Sequence, residues 1–271
     1  PKRICILGAT GFLGSNVFSK LDFKEDKIRI IVREGINTQN HLEPLKKIYD
    51  EKTGLRRNIT EFNDIVCEIT DITDLDQVTE AIQGYTHVIH TAALYPERNP
   101  EEDSELEKVN VKGTNTILDA CARINDRVDN QQKSRDGIEE TKSENEKENG
   151  DNGLNKIKVE RIIYISDIST ILNYDENLEF NHNSELISEE TVGITEYIKS
   201  KIRAEKECIN FKILRNEPEL VILNPGFMIG NFKNENKFTS AEIIKKILYG
   251  KYPGLPQVYV PFVDVGNVAT C

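Results

Sequence analysis

The feature that most constrains this 271-residue chain is the glycine-rich run Gly8-Ala9-Thr10-Gly11-Phe12-Leu13-Gly14. A short apolar strand pattern, Arg3–Leu7, ends directly before it, and a helical pattern follows. Gly8 permits a tight turn, and Gly11 lets a ligand approach the backbone with no Cβ in the way. Gly14 lets the new helix lie close on the strand. The first turn of such a helix offers unpaired N–H groups and a partial positive charge, which suit phosphate. Gly8, Thr10, Gly11, Phe12, Leu13 and Gly14 are therefore the candidate phosphate-binding residues.

The rest of the chain alternates short apolar runs with amphipathic segments. Strands are expected at Arg3–Leu7, Ile28–Val32, Ile65–Ile69, His87–His90, Arg161–Ile165 and Leu220–Leu223. They are rich in Ile and Val and mostly continuous, as strands buried on both faces must be. Helical patterns at Asp74–Gln83, Ser104–Ile124 and Ile194–Phe211 fall between them. This predicts an α/β fold, a Rossmann-type doubly wound parallel sheet that takes a dinucleotide at the carboxyl ends of its strands. Residues 1–230 are assigned to that domain and 231–271 to a small C-terminal substrate lobe, with a helix at Ser240–Leu248 and a strand at Val258–Val263. The sequence stops at VDVGNVATC without a closing element, so the lobe is expected to be incomplete. Residues 126–155 are polar and acidic with almost no apolar side chains, and are expected to be a disordered surface insert.

Composition narrows the partners. The formal net charge of -11 argues against a nucleic-acid-coating surface. No apolar run approaches the length of a membrane helix, and the N-terminus goes straight into a strand pattern, so no signal peptide is expected. Five scattered cysteines, Cys5, Cys67, Cys121, Cys208 and Cys271, include no CxxC pair and are read as reduced thiols of a cytoplasmic protein. The four histidines make no metal-ligand pattern. The oligomeric state leaves no mark in the sequence.

The end of the second strand bears on the choice of dinucleotide. An acid there would hold a ribose 2′-OH, but the chain has Val32 followed by Arg33. A guanidinium pairs with a 2′-phosphate through a forked contact, so NADP(H) is favoured, with NAD(H) as the alternative because of Glu34.

Tyr197 and Lys201 begin a strongly helical run and stand four residues apart, on one face. An ammonium beneath the ring is expected to lower the phenol's pKa, and such a tyrosine can pass a proton to a carbonyl oxygen.

With these residues in place, the chain resembles the extended short-chain dehydrogenase/reductase superfamily. It is most similar to the dihydroflavonol reductase, cinnamoyl-CoA reductase and 3β-hydroxysteroid dehydrogenase branch. The resemblance rests on GATGFLG (8–14), IVR (31–33), EITD (68–71), HTAA (90–93), VNVKGT (109–114), YIKSK (197–201), NPGFMIG (224–230) and VDVGNVA (263–269). It implies that Glu68 and Ile69 border the adenine, and that Thr91, Ala92 and Ala93 line the cofactor. It also implies that Pro225, Gly226, Phe227 and Met228 run past the nicotinamide. Asn110, Gly113 and Thr114 look like helix-packing positions. Residues 173–191 and those after Gly230 would form the walls that choose the substrate.

One departure stands out. The family's fifth strand usually runs into Ser-Ser or Thr-Ser, whose second hydroxyl polarises the substrate carbonyl. Here the run is Ser166-Asp167-Ile168-Ser169, with Asp167 at that place in an ungapped match. A carboxylate there would raise the pKa of Tyr197 and repel a developing oxyanion, so either Ser166 or Ser169 takes the role through a local shift, or catalysis is weaker or different; Ser166 is assigned the role.

The sequence reading is thus an NADP(H)-dependent reductase of a ketone or aldehyde, its partner a small-molecule carbonyl or alcohol. Two rivals stand beside it: a nucleotide-sugar epimerase or dehydratase with bound NAD, and a non-catalytic NADP(H)-binding sensor.

Overall fold

The computed structural model describes residues 1–34, 38–54, 62, 64–95, 102–136, 153–172, 181, 183–230, 240–251 and 260–271. Six short strands form one parallel sheet: β1 (Arg3–Leu7), β2 (Lys27–Arg33), β3 (Val66–Ile69), β4 (His87–His90), β5 (Arg161–Ile165) and β6 (Glu219–Leu223). Their order is β3-β2-β1-β4-β5-β6. The direction of winding reverses between β1 and β4, and that reversal leaves a crevice at the carboxyl edge.

Alternate side chains of β1 enter different cores. Ile4 and Ile6 pack with Leu13, Val17 and Phe18 of α1 (Phe12–Lys20), and with Leu45 and Tyr49 of α2 (Thr38–Thr53). Cys5 and Leu7 pack on the opposite face with Val78 and Ile82 of α3 (Leu75–Ile82). Both faces are covered, which is why the strands read as continuous apolar runs.

The expected helix Ser104–Ile124 is longer and interrupted. It comprises α4 (Glu102–Leu106), a π-helical stretch (Glu107–Lys112) and α5 (Gly113–Asp136). Residues 126–136, expected to be disordered, are therefore helical, and 154–156 form a 3-10 turn. Composition misled here because three anchors sufficed. Val128 is buried, Arg215 makes two 2.9 Å hydrogen bonds to Asp126, and Lys158 pairs with Asp129 at 2.7 Å. The remainder of the expected insert, 137–152, lies outside the described residues.

Two further helices complete the elements used below, α6 (Glu196–Leu214) and α7 (Ser240–Leu248). Beyond β6, β7 (Phe227–Ile229) pairs in parallel with β8 (Phe262–Asp264), and a short α8 (Val265–Val268) follows. The expected strand Val258–Val263 is thus observed at its later end, residues 252–259 lying outside the description. Val265 is buried among the side chains of α1 and β1, so the described end of the expected lobe returns to the main core.

Candidate active site

The glycine turn is built as its spacing demands. Gly8 has φ +87°, where a side chain would also meet the Ala92 backbone nitrogen at 2.5 Å. A Cβ on Gly14 would collide with the Gly8 carbonyl oxygen and come within 2.8 Å of Ala9 Cα, so only glycine lets α1 sit this low. Gly11 differs: a Cβ there would meet one neighbour alone, the Gly8 oxygen at 3.3 Å. Gly11 is exposed, and as N-cap of α1 it supplies no side-chain hydrogen bond. The turn therefore presents an open outer face at a helix N-terminus, a cradle that fits a pyrophosphate. Thr10 and Phe12 are half-buried at its sides, and the Leu13 side chain is buried in the core.

Neighbouring strand ends close around this turn. Thr91 donates its backbone N–H and its hydroxyl to the Leu7 carbonyl, at 2.9 and 2.8 Å. Ala92 is half-buried and Ala93 exposed. At the end of β2, Val32 is nearly buried while Arg33 is exposed. Glu34 accepts the Thr70 hydroxyl at 2.6 Å, which ties its carboxylate to the β3 end. Glu68 is exposed, but the Ile69 side chain is buried in the core and its carbonyl accepts the Glu34 N–H. Any contact from Ile69 to an adenine would thus run through backbone.

The second half of the site hangs from β5, β6 and α6. Thr195 caps α6 by accepting the Ile198 N–H, so Tyr197 and Lys201 occupy its first turns. Tyr197 reaches the carboxyl edge: its ring lies 4.8 Å from that of Tyr95, centroid to centroid, and its hydroxyl donates to Asp167 Oδ2 at 3.3 Å. Lys201 is buried and donates to the Ile165 carbonyl at 2.8 Å, with its ammonium 5.0 Å from the Tyr164 ring centroid. Burial lowers Lys201 to about 8.

Two expectations need correction. Lys201 was expected to draw the Tyr197 pKa down. Instead burial, and next the Asp167 carboxylate, hold the phenol well above its ordinary value. Desolvation and an adjacent negative charge both disfavour phenolate. The second concerns Ser166, which is not brought to Tyr197. Its buried hydroxyl donates to Glu205, a carboxylate on α6 that also accepts from Thr170 at 2.8 Å and from Asn224 at 2.9 Å. Asp167, one residue on, occupies the place beside the phenol. It caps the 3-10 turn Ile168–Thr170 through Oδ1, which accepts the Ser169 N–H at 2.9 Å. The Ser169 hydroxyl is buried and has no hydrogen-bond partner among the described residues.

Pro225 ties the next segment in, its carbonyl accepting the Ile168 N–H at 3.0 Å. Phe227 donates its N–H to Pro261 at 2.7 Å, and Met228 is half-buried against the core. Gly226 packs on the Pro261 backbone. The expected substrate walls lie partly outside the described residues, at 173–180, 182 and 231–239. The described part, 183–191, is pinned to α6 by Glu189, which binds Arg203 at 2.7 Å and Lys206 at 2.8 Å.

Three residues near this centre were not read as functional. Tyr95 follows HTAA directly, and Glu205 falls one turn after Lys201 on the same helix face, so position was the available signal for both. Asn110, set aside as a packing position, links the two halves of the site. It accepts the Leu94 N–H at 2.7 Å and donates to the Leu94 carbonyl at 3.1 Å and to Ser200 Oγ at 3.0 Å. It lies in the π-helical stretch. Asn110→Ala is expected to cost about 1–3 kcal/mol, because a largely enclosed N–H loses its acceptor. Urea denaturation measures this, and a variant as stable as the parent would contradict it. His90 also stays structural: it is buried, 3.0 Å from Thr114 Oγ1, and held near 3 by desolvation, hence neutral. Among the described residues no group of three or more His, Cys, Asp or Glu could hold a metal, and no helix is long and apolar enough to cross a membrane. All five cysteines are free.

The chain is similar to known proteins over part or nearly all of its length. The model of the 3-beta hydroxysteroid dehydrogenase/isomerase family matches residues 5–155. Over 121 residues the chain is 34% identical to the 3 beta-hydroxysteroid dehydrogenase/Delta 5→4-isomerase of vaccinia virus (strain Copenhagen), covering 44% of this chain and 30% of that protein. It is 28% identical over 124 residues to the bifunctional dihydroflavonol 4-reductase/flavanone 4-reductase of Malus domestica, covering 45% and 32%. The matches thus span about a third of these relatives' length. Among solved structures, yeast methylglyoxal/isovaleraldehyde reductase complexed with NADPH has a TM-score of 0.67 at 20% identity, covering 98% of this chain and 72% of that one. The fold, the glycine turn and the family match converge: the chain belongs to the 3-beta hydroxysteroid dehydrogenase/isomerase family, within the extended short-chain dehydrogenases/reductases.

Proposed function

We propose that this chain forms the dinucleotide-binding and proton-donating part of an NADP(H)-dependent reductase of ketones or aldehydes. One observation carries the reading. The open glycine turn follows β1, while Tyr197 and Lys201 stand by the ends of β4 and β5, so the two flank the point where the sheet's winding reverses. Gly8, Thr10, Gly11, Phe12, Leu13 and Gly14 would hold the pyrophosphate, and Thr91 to Ala93 would run beside the nucleotide. Glu68 and Ile69 would border the adenine, and Pro225 to Met228 the nicotinamide. A reduced nicotinamide supplies a hydride when bound. Tyr197 would deliver the proton that completes the alcohol, since its raised pKa keeps it a phenol at neutral pH. Lys201 would stay below it, oriented by the Ile165 carbonyl. The substrate is a medium-sized, partly apolar carbonyl compound, and the five free thiols suit a cytoplasmic setting.

Arg33 supports NADP(H) over NAD(H), because it is the exposed cation at the β2 end while Glu34 is engaged by Thr70. Titration with NADPH and NADH tests this. NADPH should bind more tightly, and Arg33→Ala should weaken NADPH by about 10- to 100-fold, the worth of a charged hydrogen bond of about 1.5–3 kcal/mol, with NADH nearly unaffected. Equal loss for both nucleotides would contradict the assignment. NAD retained through purification would favour the epimerase reading instead.

A further inference from the structure

Glu205 is a buried carboxylate for which the proton chemistry above has no use. It stands on α6 one turn beyond Lys201, with 5% of its surface exposed. Three side chains converge on it, and all three donate. Ser166, directly after β5, gives its hydroxyl to Oε2. Thr170, in the 3-10 turn that follows, gives its hydroxyl to the same oxygen at 2.8 Å. Asn224, directly after β6, gives its amide to Oε2 at 2.9 Å and to Oε1 at 3.1 Å. That amide also lies 3.0 Å from Thr170 Oγ1, so the donors are joined to one another as well.

These donors belong to strand ends that are already tied together. Ser166 donates its N–H to the Leu223 carbonyl at 2.8 Å, and Ile168 donates to Pro225 at 3.0 Å. The segment expected to pass the nicotinamide, Pro225 to Met228, leaves directly from Asn224. Tyr197 and Lys201 ride on α6. Apolar packing of Ala204, Cys208 and Phe211 presses that helix on the sheet, but such packing is non-directional. The Lys201 and Tyr197 contacts to Ile165 and Asp167 also cross the gap, yet they use the groups that the reaction itself would engage. Glu205 crosses it with a group the reaction leaves alone. We propose that Glu205 is a positioning residue, fixing the nicotinamide-side segment after β6 and the Tyr197 helix at one separation. The proposal rests on the reductase reading above. A carboxylate suits the task because both its oxygens accept, whereas a glutamine would turn an NH2 toward one of the donors.

The test is Glu205→Gln, with Thr170→Val as a milder cut and Thr170→Ser, which restores the hydroxyl, as its rescue. NADPH titration counts the folded sites in each preparation, and turnover of a carbonyl panel that includes isovaleraldehyde is expressed per site. A residue that only stabilised the fold would reduce the number of sites and leave the rate of each unchanged. The expected result for Glu205→Gln is a kcat per site about 10- to 100-fold lower, with KM and NADPH affinity within about threefold, since a misplacement of about 1 Å costs up to about 10²-fold in rate. Thr170→Val should fall in the same direction, and Thr170→Ser should recover. A parental kcat per site in Glu205→Gln would overturn the proposal; if that chain does not fold, a parental kcat per site in Thr170→Val would do so. Amide hydrogen exchange, read without substrate, judges the clamp separately. It should quicken at residues 166–171 in the folded variant and stay parental across α5. Unchanged exchange at 166–171 would overturn the clamp. A parent that reduces no carbonyl, while exchange quickens as expected, would instead overturn the reductase reading and with it the positioning role.

Discussion

Gly11→Ala should fold as stably as the parent and yet lose NADPH affinity by about 10- to 100-fold. The added methyl would meet the Gly8 oxygen at 3.3 Å and otherwise project into open space. Gly11 has φ -76°, which alanine adopts freely, so the fold has little to lose. A pyrophosphate approaching the α1 amides would meet that methyl and forfeit a charged hydrogen bond worth about 1.5–3 kcal/mol. Gly14→Ala is the contrast. Its methyl collides with the first turn, and overpacking of that kind costs about 1–3 kcal/mol of stability before any ligand is added. Urea denaturation beside NADPH titration separates the two. A Gly11→Ala chain that binds NADPH as the parent does would mean that no phosphate comes to this turn.

Tyr197→Phe should leave NADPH binding nearly intact and reduce turnover by about 10²- to 10⁴-fold, the usual worth of a placed acid. The ring's contact with Tyr95 survives the change, and so does the packing of α6. What disappears is a single O–H group whose raised pKa suits it to give a proton and unsuits it to remove one. Steady-state rates with NADPH and a carbonyl panel, measured beside nucleotide affinity, check this. Unchanged turnover would remove the tyrosine from the mechanism.

The six strands were legible because each is a short continuous apolar run bounded by turn residues, and burial on two faces forces that pattern. β1, β4 and β5 fall at their expected bounds, and the others differ by one residue at one or both ends. The glycine turn was legible for a related reason: each glycine answers a local requirement of the backbone. The chemistry around Tyr197 was less so. Helical spacing places Lys201 near Tyr197, and the family motif places Asp167 beside the phenol, but neither shows that the Ile165 carbonyl holds the ammonium or that the phenol donates to Asp167 Oδ2. Those contacts join β5 to a helix some thirty residues later, and pairwise electrostatics across such a gap leave no local trace. Ser166 illustrates the same limit, since its partner Glu205 is 39 residues away. The continuation of α5 to Asp136 rests on Arg215 and Lys158, equally remote in sequence.

A crystal structure of the chain with NADPH is the most direct measurement. It should show the pyrophosphate on the amides of Phe12 and Leu13 at the start of α1, the 2′-phosphate at Arg33, and the nicotinamide within reach of the Tyr197 hydroxyl. A nucleotide bound elsewhere, or a ring remote from Tyr197, would contradict the account.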